Sequence, residues 1–131
     1  DAQLNGSRIT VSDDDIGPFA SFAIDSHTNR RTEAGTDRMM AQSRFRCLGS
    51  TALHMAYVAK GAMIGMVTTS AKLWDIAAGT LLVQRAGGTV TDIDGNAPFP
   101  VSLDDYDGGY FGLLATNPKI NKKTLETFAE K

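Results

Sequence analysis

The residues best suited to chemistry are Trp74-Asp75-Ile76-Ala77-Ala78-Gly79, where one carboxylate stands between a large aromatic and a run of small residues as a helical pattern begins. Two roles are open to Asp75. As an N-cap it accepts a backbone N–H and suits the positive end of a helix, worth about 1 kcal/mol over alanine. As an oxygen donor it suits a hard cation such as Mg²⁺. In that second role Trp74 would wall the site, and Ala77, Ala78 and Gly79 would let a ligand or another segment approach the first turn. One carboxylate does not make a metal site, so further ligands would have to come from elsewhere.

The remaining candidates carry less. Asp92-Ile93-Asp94-Gly95-Asn96 sets acids around a glycine, but it lacks the ligand spacing and closing Glu of an EF-hand loop and reads as a β-turn. His27 and His54 are far apart, and His54 falls inside an apolar helical run as a packed or partly exposed side chain rather than a base. Cys47 falls on an expected strand as an inert small hydrophobe. Asp104-Asp105-Tyr106-Asp107 reads as a solvated loop. Met39, Met40, Met55, Met63 and Met66 read as core or gap filling.

Several elements must position these side chains. Asn5-Gly6 is a hairpin signal. A chain that opens inside a hairpin reads either as cut from something longer or as starting with a short edge hairpin or an ordinary terminal turn. Residues 19–24 form a continuous apolar run, as in a strand buried on both faces. A polar helix is expected to end near Met39-Met40, with Gly35 weakening it. Residues 44–48 alternate as a short strand. Gly49-Ser50-Thr51 then opens an apolar helix with Ser50 as N-cap and Gly61 as C-cap. A strand is expected over 62–68, and a helix capped by Asp75 runs to Gly87-Gly88. Strands over 89–93 and 110–116 follow, and Asn117-Pro118 starts a last helix through residue 131. Strands alternating with helices predict an α/β layered domain with a mostly parallel or mixed sheet of about five strands flanked by helices. Such sheets place ligands beyond the carboxyl ends of their strands.

The chain has 131 residues, which suits one domain. Its 13 basic and 15 acidic residues give a net charge of −2, without the electrostatic footprint that nucleic acid or an anionic membrane requires. A single cysteine excludes an internal disulfide and fits a reducing, cytoplasmic setting. No apolar run approaches the roughly 20 residues of a membrane span.

"GSTALHMAYVAKG" and "LWDIAAGTLLVQRAGGTVTDIDG" together resemble the carboxyl-terminal half of the inositol monophosphatase family, whose second signature is the W-D-x-A-A-G…A-G-G segment. "LNGSRITVS" is similar to the family's mid-chain hairpin, so the resemblance covers essentially the whole chain. It implies a Mg²⁺-dependent, lithium-sensitive phosphomonoesterase acting on inositol phosphates, sugar phosphates or related small molecules. By this resemblance Asp75 is a metal ligand that also caps its helix. Gly49, Ser50 and Thr51 match the segment that approaches the substrate's ring or hydroxyls, at a helix start where backbone N–H groups bind polar ligands. Ser26 falls near a substrate-side serine of the family, across a shortened spacing. The chain departs from the pattern at Thr51, where alanine is usual, and at Thr68. The inositol-acting members carry an acid at that second position, seven residues before the metal-binding Asp. Thr68 therefore puts inositol phosphate itself in doubt while remaining on the substrate side.

The family's upstream Glu and its D-P-x-D-G-T segment, which supply most metal ligands, are absent from this sequence. The expectation is a carboxyl-terminal domain (residues 1–131) whose amino-terminal catalytic half is missing, inactive alone, with no catalytic residue of its own. It would expose an apolar patch and form homo-oligomers. Two alternatives stay open: a non-catalytic binding or oligomerisation module, and an enzyme acting like a fructose-bisphosphatase or a nucleotide-bisphosphate phosphatase.

Overall fold

A computed structural model describes residues 1–129. The chain opens with a hairpin, β1 (Gln3–Leu4) and β2 (Ser7–Arg8), antiparallel across Asn5-Gly6. Both turn residues have positive φ, 51° and 80°, the requirement of a tight two-residue hairpin turn. There follow β3 (Ser21–Ile24), α1 (Glu33–Gln42), β4 (Arg44–Arg46), α2 (Thr51–Ala59), β5 (Gly65–Ala71), α3 (Leu73–Arg85), β6 (Thr89–Thr91), β7 (Phe111–Thr116) and α4 (Asn121–Ala129). The end of the last expected helix, Glu130 and Lys131, lies outside the described residues.

Five strands form one sheet in the order β4-β3-β5-β7-β6. The first three are parallel, and β7 pairs antiparallel with both β5 and β6. The sheet is therefore mixed. The β3-α1-β4, β4-α2-β5 and β5-α3-β6 connections each cross over with a helix, whereas no helix separates β6 from its antiparallel neighbour β7.

Helices cover both faces. Along β3, Ala23 joins a core with Met55, Val58, Ile76, Val83 and Leu113 under α2 and α3. Its neighbours Phe22 and Ile24 join the opposite core with Met39, Val67, Leu114 and Phe128 under α1 and α4. Successive strand residues point to opposite faces, so a strand buried on both sides reads as an unbroken apolar run. α2 and α3 pack closely because Gly79 sits against Met55. A Cβ there would come 2.6 Å from Met55 Sδ and 3.0 Å from its Cβ. Gly79 thus admits a neighbouring helix rather than a ligand.

Several expectations need correction. Cys47 lies past the end of β4 and is exposed. Met40 is 53% exposed, unlike the four other methionines, which are buried. The expected strand over 62–68 begins three residues later. Ala62 and Met63 donate to the Tyr57 carbonyl and so still belong to the turn closing α2.

Candidate functional site

Asp75 was expected at the N-cap, but α3 starts three residues earlier, with Lys72 as the N-cap and Asp75 in its first turn. Asp75 Oδ2 accepts the Lys72 backbone N–H at 2.8 Å, the back-reaching half of a capping box. The side chain is half-buried, and Oδ1 accepts nothing from the described residues. A second brace comes from the Asp-rich loop. Tyr106 Oη accepts the Leu73 N–H at 3.2 Å and donates to the Gly109 carbonyl at 2.8 Å. The Lys72 ammonium donates to the Gly108 carbonyl and lies 4.0 Å from the Tyr110 ring centroid, which draws it into that loop. Trp74 is 71% exposed. With Ala77, Ala78 and Leu81 it lies at the i, i+3, i+4, i+7 spacing of one exposed helix face.

The chemistry of the donor set limits what this corner can hold. Carboxylate oxygen is what Mg²⁺ prefers, and Mg²⁺ demands near-octahedral oxygen ligation. Among the described residues, no group of three or more His, Cys, Asp or Glu could hold a metal ion. Asp75 fits as one ligand.

Gly49, Ser50 and Thr51 meet at the carboxyl edge of the parallel strands. The chain leaves β4 through a left-handed turn at Gly49, φ 72°, and enters α2. Ser50 is the N-cap as expected, its Oγ accepting the Leu53 N–H at 3.2 Å. Thr51 Oγ1 donates to Asp25 Oδ1 at 3.4 Å. Asp25, one residue past β3, is the acid that the sequence did not single out. Its Oδ2 accepts the hydroxyl of Thr68, the N–H of Thr69 at 3.0 Å and the hydroxyl of Ser70 at 3.4 Å. Thr68 itself is 1% exposed and reaches the site only through Asp25.

These residues enclose a pocket of about 220 Å³, lined by Asp25, Ser26, Gly49, Ser50, Thr51 and Ser70, together with His27 and His54. Ser26 Oγ and Cys47 Sγ, 3.4 Å apart, pair at its rim. His54 is fully buried, and its Nε2 accepts the Leu48 N–H at 2.9 Å, which leaves the ring proton on Nδ1. Burial pushes its pKa below 6.5, and the nearby Asp25 charge opposes that shift only in part. A larger cleft of about 840 Å³ lies beside α1, the Asp94 turn and α4. Its ion pair between Arg31 and Asp94 is exposed, and it brings no hydroxyl cluster together. The Asp92 segment is the expected turn, with Asp92 Oδ1 accepting the N–H groups of Asp94 and Asn96 at 2.9 and 2.8 Å.

A model of the inositol monophosphatase family matches residues 1–131. An inositol-1-monophosphatase of Mycolicibacterium smegmatis, ImpA, is 36% identical over 121 residues, covering 89% of this chain and 41% of that protein. An inositol-1-monophosphatase of Mesorhizobium japonicum is 54% identical over 88 residues, 67% of this chain and 30% of that protein. Among solved structures, the extragenic suppressor protein SuhB of Bartonella henselae superposes with a TM-score of 0.80 at 28% identity, over 96% of this chain and 47% of that one. The chain thus spans less than half the length of these relatives.

Proposed function

The chain belongs to the inositol monophosphatase family, and on that premise we propose that it is the carboxyl-terminal part of a Mg²⁺-dependent phosphomonoesterase for a small inositol- or sugar-phosphate-type ester. The observation that carries this reading is the pairing of two features at one edge of the sheet. Asp75 holds an oxygen open at the start of α3, and a hydroxyl-lined pocket opens beyond β3 and β5.

In this reading Asp75 is one ligand of the cation, and the remaining ligands come from outside residues 1–131. When bound, the metal polarises the phosphate and activates water. The rest is work for the chain's own groups. The Lys72 N–H and the Tyr106 hydroxyl fix the first turn of α3 and so aim the Asp75 carboxylate. Gly49, Ser50 and Thr51 present the substrate with backbone N–H groups at the start of α2, of which that of Thr51 lacks an intrahelical partner. Thr68 acts there by holding Asp25. One carboxylate binds Mg²⁺ weakly, so residues 1–131 alone have little or no phosphatase activity.

A second reading, a non-catalytic binding or oligomerisation module, is favoured by the exposed stripe of Trp74, Ala77, Ala78 and Leu81. Assays with Mg²⁺ on a panel of small phosphate esters separate the two. They compare residues 1–131 with the longest native form, each with an Asp75→Asn control. Turnover by the longer form only, abolished by the substitution, supports the split site. Turnover by residues 1–131 alone, silenced by Asp75→Asn, contradicts it. No turnover by any form moves the module reading ahead.

A further inference from the structure

Four donors converge on Asp25, and they are unevenly shared. Oδ2 takes the Thr68 and Ser70 hydroxyls and the Thr69 N–H, while Oδ1 takes only the Thr51 hydroxyl at 3.4 Å. A carboxylate oxygen accepts at least two hydrogen bonds, so Oδ1 keeps acceptor capacity on the pocket side. The backbone and hydroxyl contacts on Oδ2 hold the side chain in one orientation. The pocket wall brings further hydroxyls from Ser26 and Ser50 and no lysine or arginine. On its floor His54 is held neutral by burial, and its Nδ1 has no partner among the described residues. A fixed carboxylate among hydroxyls, with no lysine or arginine on the wall, suits a neutral, hydroxyl-rich group, and its full negative charge outweighs the partial positive charge at the start of α2 against an anion.

We infer that Asp25 sets specificity on the substrate side: its carboxylate accepts the hydroxyl hydrogens of a neutral polyol moiety and its charge keeps a second phosphate out. This rests on the phosphomonoesterase reading and narrows it to polyol monophosphates. Hydrogen bonds from hydroxyls to an ionised acceptor are about twice as strong as neutral ones. A site built to bind a hydroxyl also rejects a ligand that leaves its polar groups unpaired. Repulsion works alongside: a dianionic phosphate about 6 Å from a carboxylate is disfavoured about tenfold even at the dielectric constant of water.

The test uses the full-length native protein with Mg²⁺, as wild type, Asp25→Asn and Ser70→Lys. Fructose 6-phosphate, fructose 1,6-bisphosphate and p-nitrophenyl phosphate are the probes. Asp25→Asn is expected to lower the preference for the monophosphate over the bisphosphate about tenfold, mainly through KM. It costs fructose 6-phosphate more than it costs the hydroxyl-free ester. Ser70→Lys sets a cation at an exposed position on the same wall and shifts the preference the same way, so the test survives if Asp25→Asn fails to fold. A preference unchanged within about twofold in both variants overturns the inference. Wild type that turns over none of the three esters, nor an inositol monophosphate, defeats the phosphomonoesterase reading instead. Asp25 is then judged by the Thr69 amide resonance on titration with fructose 6-phosphate. A shift seen in wild type and lost in Asp25→Asn supports it, and no shift in wild type overturns it.

Discussion

Asp25 and Asp75 stand at the same carboxyl edge of the sheet, one past β3 and the other past β5, and their surroundings differ sharply. Asp25 receives hydrogens from three hydroxyls and an N–H, drawn from β5 and the start of α2. Asp75 receives one, from the backbone of its own helix start. Donors crowded around Asp25 turn positive hydrogens toward the space a cation would need. Asp75 offers an open oxygen without that competition. On the proposed reading, two identical side chains are thereby prepared for opposite partners, hydroxyl hydrogens at one and a metal ion at the other. The hydrogen-bond shell separates them; residue type does not.

Variants of the frame that holds both acids probe this contrast. The largest effect is expected at Gly79, where α3, whose first turn carries Asp75, touches α2, which starts with Thr51. Gly79→Val drives a branched side chain into Met55 and is expected to cost about 2 kcal/mol of stability, read as a lower urea midpoint. A variant as stable as wild type would show that the two helix starts are not held by this contact.

A smaller effect singles out the Asp25 side. His54, beneath that pocket, has a folded-state pKa below its ordinary 6.5 because burial disfavours the charged ring. As the pH falls through the unfolded value, the unfolded chain takes up the proton first. The folded state therefore loses stability on acidification, and the His54 contribution is fully present above the unfolded pKa. Denaturation midpoints compared at about pH 7.5 and about pH 5.5 should differ less in His54→Gln than in wild type. An equal difference in both proteins would show that His54 does not resist protonation.

Much of the frame was legible because its signals are local. Asn5-Gly6 gave a hairpin turn, Ser50 a cap, and the apolar run before Asp25 a strand buried on both faces. The start of α3 and the end of β5 were displaced for non-local reasons. Lys72 carries no capping side chain, and the start of α3 is fixed instead by Asp75 reaching back and by Tyr106 arriving from a later loop. β5 extends over polar Thr68–Ser70 because β7 pairs beside it, with Thr68 opposite Leu113 and Ala71 opposite Phe111. Gly35 looked like a helix weakness, yet it is the site where α1 meets Phe128. A Cβ there would lie 2.9 Å from the Phe128 Cα. Asp25 was illegible because its partners lie 26 to 45 residues away in sequence. Thr68 reads as a lost acid, but in space its hydroxyl meets one. No spacing rule connects those positions.

Cation affinity tests the contrast most directly. Mg²⁺ is titrated calorimetrically into the full-length native protein, its Asp75→Asn form and its Asp25→Asn form. Asp75→Asn is expected to weaken binding at least about tenfold, with Asp25→Asn within about twofold of wild type. Wild-type affinity in Asp75→Asn, or an equal loss in Asp25→Asn, would contradict the assignment of the cation to one acid and the hydroxyls to the other.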